Sequence, residues 1–236
     1  MKVLQKCTSF LLLAGLLAGC AVRRENQEIN KQIFAKPSTV VIVQVSGLEK
    51  PVYFRDSGNT GLIGALLVEM MGISAAQKVS EIDPSPLVAD HYHGPFRKFF
   101  EEKNFKVKLL PSPLKRDALT AGSSDPVFSP VDFRFLRNEH GVEYALIIDP
   151  EFFGVYRTIG LGGSSVAKAR LKFYLVNLAS NALVGYYNAD VTESVLGDWD
   201  TPPDYRELTA SVKIALIRAL NDAYRYFSAK NFESFS

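Results

Sequence analysis

The chain has 236 residues, 47% hydrophobic and 22% charged, with 27 basic against 25 acidic side chains. That composition excludes a disordered or collagen-like chain and predicts a sizeable core, while a formal charge of +2 gives no electrostatic ground for binding nucleic acid or an acidic polymer. Both cysteines, Cys7 and Cys20, fall in the first twenty residues, so the rest of the chain holds no thiol for a disulfide, a thiolate metal site or a nucleophile.

Residues 1–20 place Lys2 and Lys6 ahead of an apolar run from Phe10 to Leu17, followed by small residues and Cys20. The run is too short to span a bilayer, which takes roughly 20 apolar residues, and its layout is that of a secretory signal. Leu17-Ala18-Gly19-Cys20 resembles the lipobox of bacterial lipoproteins. The resemblance implies cleavage before Cys20, a thioether-linked diacylglyceryl group on its sulfur and acylation of the new amino terminus. Loss of residues 1–19 takes away two lysines and no acid, leaving 25 basic and 25 acidic groups. A neutral body has no pull toward anionic headgroups, so membrane residence rests on the acyl chains, at about 0.8 kcal/mol per buried methylene. Ala21 stands where an aspartate would resemble an inner-membrane retention signal, which points to the periplasmic side of a Gram-negative outer membrane, with a Gram-positive plasma membrane as the alternative.

Residues 20–37 have the polar composition of a solvated, lipidated tether, and residues 38–236 are expected to form one domain. Thr39-Val40-Val41-Ile42-Val43-Gln44-Val45 is β-branched and reads as a buried strand, with a short extended piece near residues 51–55. Residues 61–73 are apolar nearly all round; Leu62, Ile63, Leu66, Leu67, Met70 and Met71 there are either core or an interaction surface. Residues 84–103 read as a helix with Leu87, His91, Phe96, Phe99 and Phe100 on one side and a break or kink expected at Gly94-Pro95. Phe105-Lys106-Val107-Lys108-Leu109 alternates as a half-buried strand does, and residues 111–129 read as loop.

A short helix over residues 131–140 is expected to end at Gly141, followed by a buried strand over residues 142–148 that continues through residues 152–157. Residues 165–178 alternate apolar and basic side chains and return through Ala179-Ser180-Asn181 into residues 182–192, a hairpin. Residues 205–230 repeat Leu208, Val212, Ala215, Leu216, Ala219, Leu220, Ala223 and Phe227 at helical spacing, a long amphipathic helix. The order predicts an α/β fold in which helices cover a mixed sheet of about five strands.

Glu143-Tyr144-Ala145-Leu146-Ile147-Ile148-Asp149, the turn Ile159-Gly160-Leu161-Gly162-Gly163 and the 169–184 hairpin resemble the TolB amino-terminal-domain-like lipoproteins, a group that includes curli-secretion and penicillin-binding-protein-activator lipoproteins. The resemblance implies a non-enzymatic envelope protein that acts by contacting partners, and it carries no catalytic residues or cofactor with it.

Residues 160–165 suggest an anion-cradling loop but lack the patterns of a dinucleotide or Walker loop. Asp90, His91 and His93 suggest a metal cluster, yet i and i+2 diverge on a helix. Ser123-Ser124-Asp125 lacks a nucleophile elbow, and a triad with His140 is conjecture. Trp199, between Asp198 and Asp200, is a candidate contact residue or a core-edge cap. The leading reading is therefore an outer-membrane-anchored periplasmic lipoprotein that binds an envelope component or itself, without catalytic residues, metal or cofactor. A small periplasmic hydrolase or metal-dependent enzyme is the alternative, and a pore-forming oligomer is a third reading.

Overall fold

The computed structural model describes residues 24–46, 52–56, 81–82, 84–159, 165–195 and 206–229. In chain order the elements are a 3-10 turn (Lys31–Ala35), β1 (Ser38–Ser46), β2 (Val52–Asp56), α1 (Pro84–Glu102), β3 (Phe105–Leu109), β4 (Leu114–Lys115), a 3-10 turn (Arg116–Ala118), α2 (Phe135–His140), β5 (Tyr144–Ile159), β6 (Ser165–Asn177), β7 (Ala182–Ser194) and α3 (Arg206–Ala229).

The strands form one mixed sheet. Its main path runs β3-β1-β5-β6-β7, with β2 paired to the far end of β5 and β4 to the end of β1. β1 is parallel to both β3 and β5, whereas β5, β6 and β7 run antiparallel as a long meander. The expected α/β architecture is thus present, with two short strands added to the five. One of these, β4, lies in the stretch read as loop.

Both faces of the sheet centre are buried, which is why β1 is β-branched without alternation. On one face Val40, Ile42, Leu146, Ile148, Leu171, Phe173 and Leu175 pack under α1 and α3. α3 contributes the helical stripe read from its sequence, Leu208, Val212, Leu216, Leu220 and Phe227, all buried. Phe96 of α1 meets Tyr224 and Phe227 of α3 edge to face at 5.5 and 6.0 Å. On the other face Val41, Val43, Ala145, Ile147, Tyr174 and Val176 are covered by Phe133 and Leu136, from α2 and the loop before it.

α1 runs through Pro95 without the break expected there. Proline removes one backbone donor, but Val88, Phe96, Phe99 and Phe100 on either side of it are buried, and that packing outweighs the lost hydrogen bond. His91, assigned by spacing to the apolar side, is exposed. α2 ends as read: Gly141 is left-handed (φ 62°, ψ 39°), and its amide donates to the Arg137 carbonyl at 2.9 Å. The β6–β7 turn holds Asn181 at φ 60°. The side chain is buried and bridges to the neighbouring loop, Oδ1 accepting from the Phe133 amide at 3.1 Å and Nδ2 donating to the Val131 carbonyl at 3.0 Å.

Residues 24–35, read as part of a solvated tether, are docked on the body instead. Gln27 exchanges both backbone hydrogen bonds with Tyr186 at 2.8 and 2.9 Å, the Asn30 amide donates to the Val184 carbonyl at 2.7 Å, and the Asn188 amide donates to Asn26 Oδ1 at 2.8 Å. Ile29 and Ile33, four residues apart, are buried in the core. The physical reason is the open edge of β7, whose backbone groups pair with those of Gln27 and Asn30 while the two isoleucines are buried in the core.

Candidate functional site

The feature that stands out on this fold is the charged half of the β5–β7 meander, on the face opposite α1 and α3. In β6, Ala167, Ala169, Leu171 and Phe173 point into the core, so Lys168, Arg170 and Lys172 alternate onto the other side. Register then supplies the acids. Asp149 of β5 lies opposite Lys172, and Asp190 of β7 lies opposite Arg170. A bulge between Pro150 and Phe152 brings Glu151 onto the same side, where it pairs with Lys172.

The charges interlock. Arg170 Nη2 and Lys168 Nζ each sit 3.0 Å from an Asp190 oxygen, and Arg170 Nη1 lies 3.8 Å from Glu151 Oε2. Arg116, from the turn after β4, pairs with Asp149 and also donates to the Pro150 carbonyl at 3.0 Å. Asp149 is the most buried acid of the group, and burial pushes its carboxyl above the usual range against the opposing pull of Arg116 and Lys172. Beneath them, Tyr174 and Tyr186 pack with centroids 5.3 Å apart. Burial, aided by the Asp149 carboxylate, drives the Tyr174 phenol well above its usual range; burial, aided by Glu151, pushes Tyr186 up to about 12.

Arg24 completes the group: its charge acts on both tyrosines, and its guanidinium donates to the Ser123 and Phe128 carbonyls at 3.3 and 3.4 Å. Five cations (Arg24, Arg116, Lys168, Arg170, Lys172) therefore stand against three carboxylates (Asp149, Glu151, Asp190), an excess of two positive charges. Among the described residues, Arg24 Nε and Asn188 Oδ1 are buried without a hydrogen-bond partner, as is Glu151 Oε2 apart from its ionic contact. The face thus carries a net positive charge on side chains that neighbouring groups hold in place.

A shallow cavity of about 300 Å³ lies beside it, between the 121–134 loop and the β6–β7 turn, lined by Gly122, Ser123, Phe128, Asp132, Arg134 and Asn181. Gly122 is required there, since a Cβ would come within 2.4 Å of the Ser129 carbonyl. Its one carboxylate is already engaged: Arg134 hydrogen-bonds Asp132 and holds it below the usual range.

The side chains singled out from the sequence fall elsewhere. Cys20, Leu62, Ile63, Leu66, Leu67, Met70, Met71, Trp199 and the 160–164 turn lie outside the described residues. His91 is exposed on α1 with Nδ1 3.1 Å from the Leu87 carbonyl, and among the described residues no group of three His, Cys, Asp or Glu side chains is placed to hold a metal. Ser123 Oγ accepts from the Asp125 amide and Asp125 Oδ1 from the Val127 amide, local turn bonds. His140 Nε2 faces Glu139 at 3.8 Å, so no hydrogen bond among the described residues joins it to Ser123. Sequence reading saw the basic stripe of β6 but not its acids, which only strand register and a bulge bring to it.

No protein-family model and no curated protein sequence matches the chain. Solved structures with distant likeness include a neuraminyllactose-binding hemagglutinin homologue from Helicobacter pylori, 10% identical over 89% of this chain and 94% of that one, with a TM-score of 0.38. The PelC dodecamer from Paraburkholderia phytofirmans is 11% identical over 83% and 94%, at 0.27. Lipoprotein GNA1162 from Neisseria meningitidis is 14% identical over 79% and 99%, at 0.28. Likeness of this degree says nothing of partner or reaction.

Proposed function

We propose that the protein is a lipid-anchored component of a bacterial envelope that works by binding. In this reading it is attached through Cys20 to the periplasmic side of an outer membrane and has no catalytic role. The observation that carries the binding reading is the charged sheet face, on which cations exceed carboxylates and every charge is held by a neighbour. Ordered ion pairs keep long side chains in place, so a partner meets a surface already arranged and loses less conformational entropy on docking. The anchor is supported by the signal layout and Leu17-Ala18-Gly19-Cys20.

Two experiments test this. Palmitate labelling and membrane fractionation of Cys20→Ala should show loss of both label and membrane residence; equal labelling of variant and parent would sink the anchor. A photo-crosslinker at exposed Thr192, opposite Lys168 on the charged face, should trap a partner in cells, and one at Glu101 on α1 should not. Residues 61–73 are offered as a self-association surface: Leu66→Asp should abolish self-association in sedimentation while leaving the melting temperature in place. A sharp fall in melting temperature would make the segment core instead.

A further inference from the structure

We infer that acylation of Cys20 keeps the edge built from residues 24–30 and 121–128 nearer the lipid surface than the β3 edge. The inference rests on the proposed lipidation of Cys20 and adds an orientation to it.

Two lengths set which edge can approach the lipid. Arg24 is fixed on the body, its guanidinium bonded to the Ser123 and Phe128 carbonyls and the following residues paired with β7. Three residues, Ala21, Val22 and Arg23, separate Arg24 from Cys20, and the four Cα–Cα steps between the two span at most about 14 Å even when fully extended. The sheet is wider than this. One register row runs Val107, Val40, Tyr144, Asn177, Ala182, Phe128, each hydrogen-bonded to the next strand. Five spacings of about 4.8 Å put Val107 and Phe128 about 24 Å apart. If the β3 edge rested on the bilayer, the Arg24 edge would stand farther from it than the linker reaches.

The two edges also differ in chemistry. The β3 edge presents Lys106 and Lys108, exposed. The Arg24 edge presents Val127, which is 58% exposed and is one of two exposed large apolar residues among those described. The Arg24 edge also carries exposed Glu25, Glu28 and Asp125, so electrostatics does not draw it to the headgroups and the acyl chains supply the attraction.

The mature chain retains only Cys20, whose sulfur the thioether blocks, so Val127→Cys and Lys106→Cys each provide a single free thiol for a nitroxide. The full acylated protein is reconstituted into phosphatidylcholine vesicles carrying a nickel-chelating headgroup lipid, and spin relaxation is compared at the two positions. Relaxation at residue 127 should exceed that at residue 106 severalfold. Insertion of about twelve Gly and Ser residues between Arg23 and Arg24, which lengthens the reach well past the sheet width, should erase the difference. Equal or reversed relaxation on vesicle-bound protein overturns the orientation while leaving the anchor standing, and a difference that survives the insertion overturns the short linker as its cause. A parent protein that neither floats with vesicles nor takes palmitate overturns the anchor, and the orientation with it.

Discussion

Arg116→Ala tests how the charged face is held. Arg116 Nη2 donates to Asp149 Oδ1 and Nη1 to Oδ2, the latter at 3.4 Å; the Asp149 side chain is 12% exposed and that of Arg116 39%. Removing one partner of a fully buried pair costs about 3–5 kcal/mol because a charge is left without compensation, but water reaches Arg116, so about 1–3 kcal/mol is expected here. The pH dependence follows from burial. Asp149 has a folded pKa above its unfolded value, so its ionised form costs stability above the folded pKa, and that cost disappears as pH falls below the unfolded value of 3.8. Without Arg116 the folded pKa rises further. Urea unfolding should therefore show the largest penalty at about pH 7 and a smaller one at about pH 4, and Arg116→Ala with Asp149→Asn should recover most of the loss at neutral pH. A penalty equal at both pH values, or a double variant no more stable than Arg116→Ala, would refute the reasoning.

Three further outcomes are expected. Asn181→Ala strands the Phe133 amide and the Val131 carbonyl and places alanine at φ 60°, lowering stability by about 2–4 kcal/mol in thermal melts; Asn181→Gly should recover only the backbone share, so full recovery would assign no value to the side-chain bonds. Stability should fall as pH rises from about 10 toward 12, since the unfolded Tyr186 phenol ionises before the folded one, and Tyr186→Phe should flatten part of that fall in alkaline unfolding curves. Ending the chain before Arg206 removes buried Leu208, Val212, Leu216, Leu220 and Phe227, each worth roughly 1.5–3 kcal/mol against a total of about 5–15, so circular dichroism should show no cooperative melt.

The elements that could be read in advance are those whose pattern is local. Val40 to Val45 are apolar save for Gln44 because both faces of β1 are covered, and the stripe from Leu208 to Phe227 repeats because only one side of α3 is. Gly141 and Asn181 mark their turns because each takes a positive φ. Averaged composition misled at residues 24–35, where Ile29 and Ile33 are the only large aliphatics in a polar stretch and the spacing of four was the signal. Pro95 misled because local propensity yields to Phe96, Phe99 and Phe100 packing. The charged face was half legible: alternation exposes Lys168, Arg170 and Lys172, but no spacing rule joins Arg116 to Asp149 across 33 residues, or Glu151 to Lys172 through a bulge.

The pairing of the chain's start with its seventh strand also orders events in time. Asn26 and Asn188 are 162 residues apart, so the segment around Asn26 has no edge to dock on until β7 has followed it. β1 likewise waits for both of its parallel neighbours, β3 and β5. Contacts this distant in sequence are slow to close. Residues 24–30 thus precede the whole sheet in the chain and dock only after most of it is made.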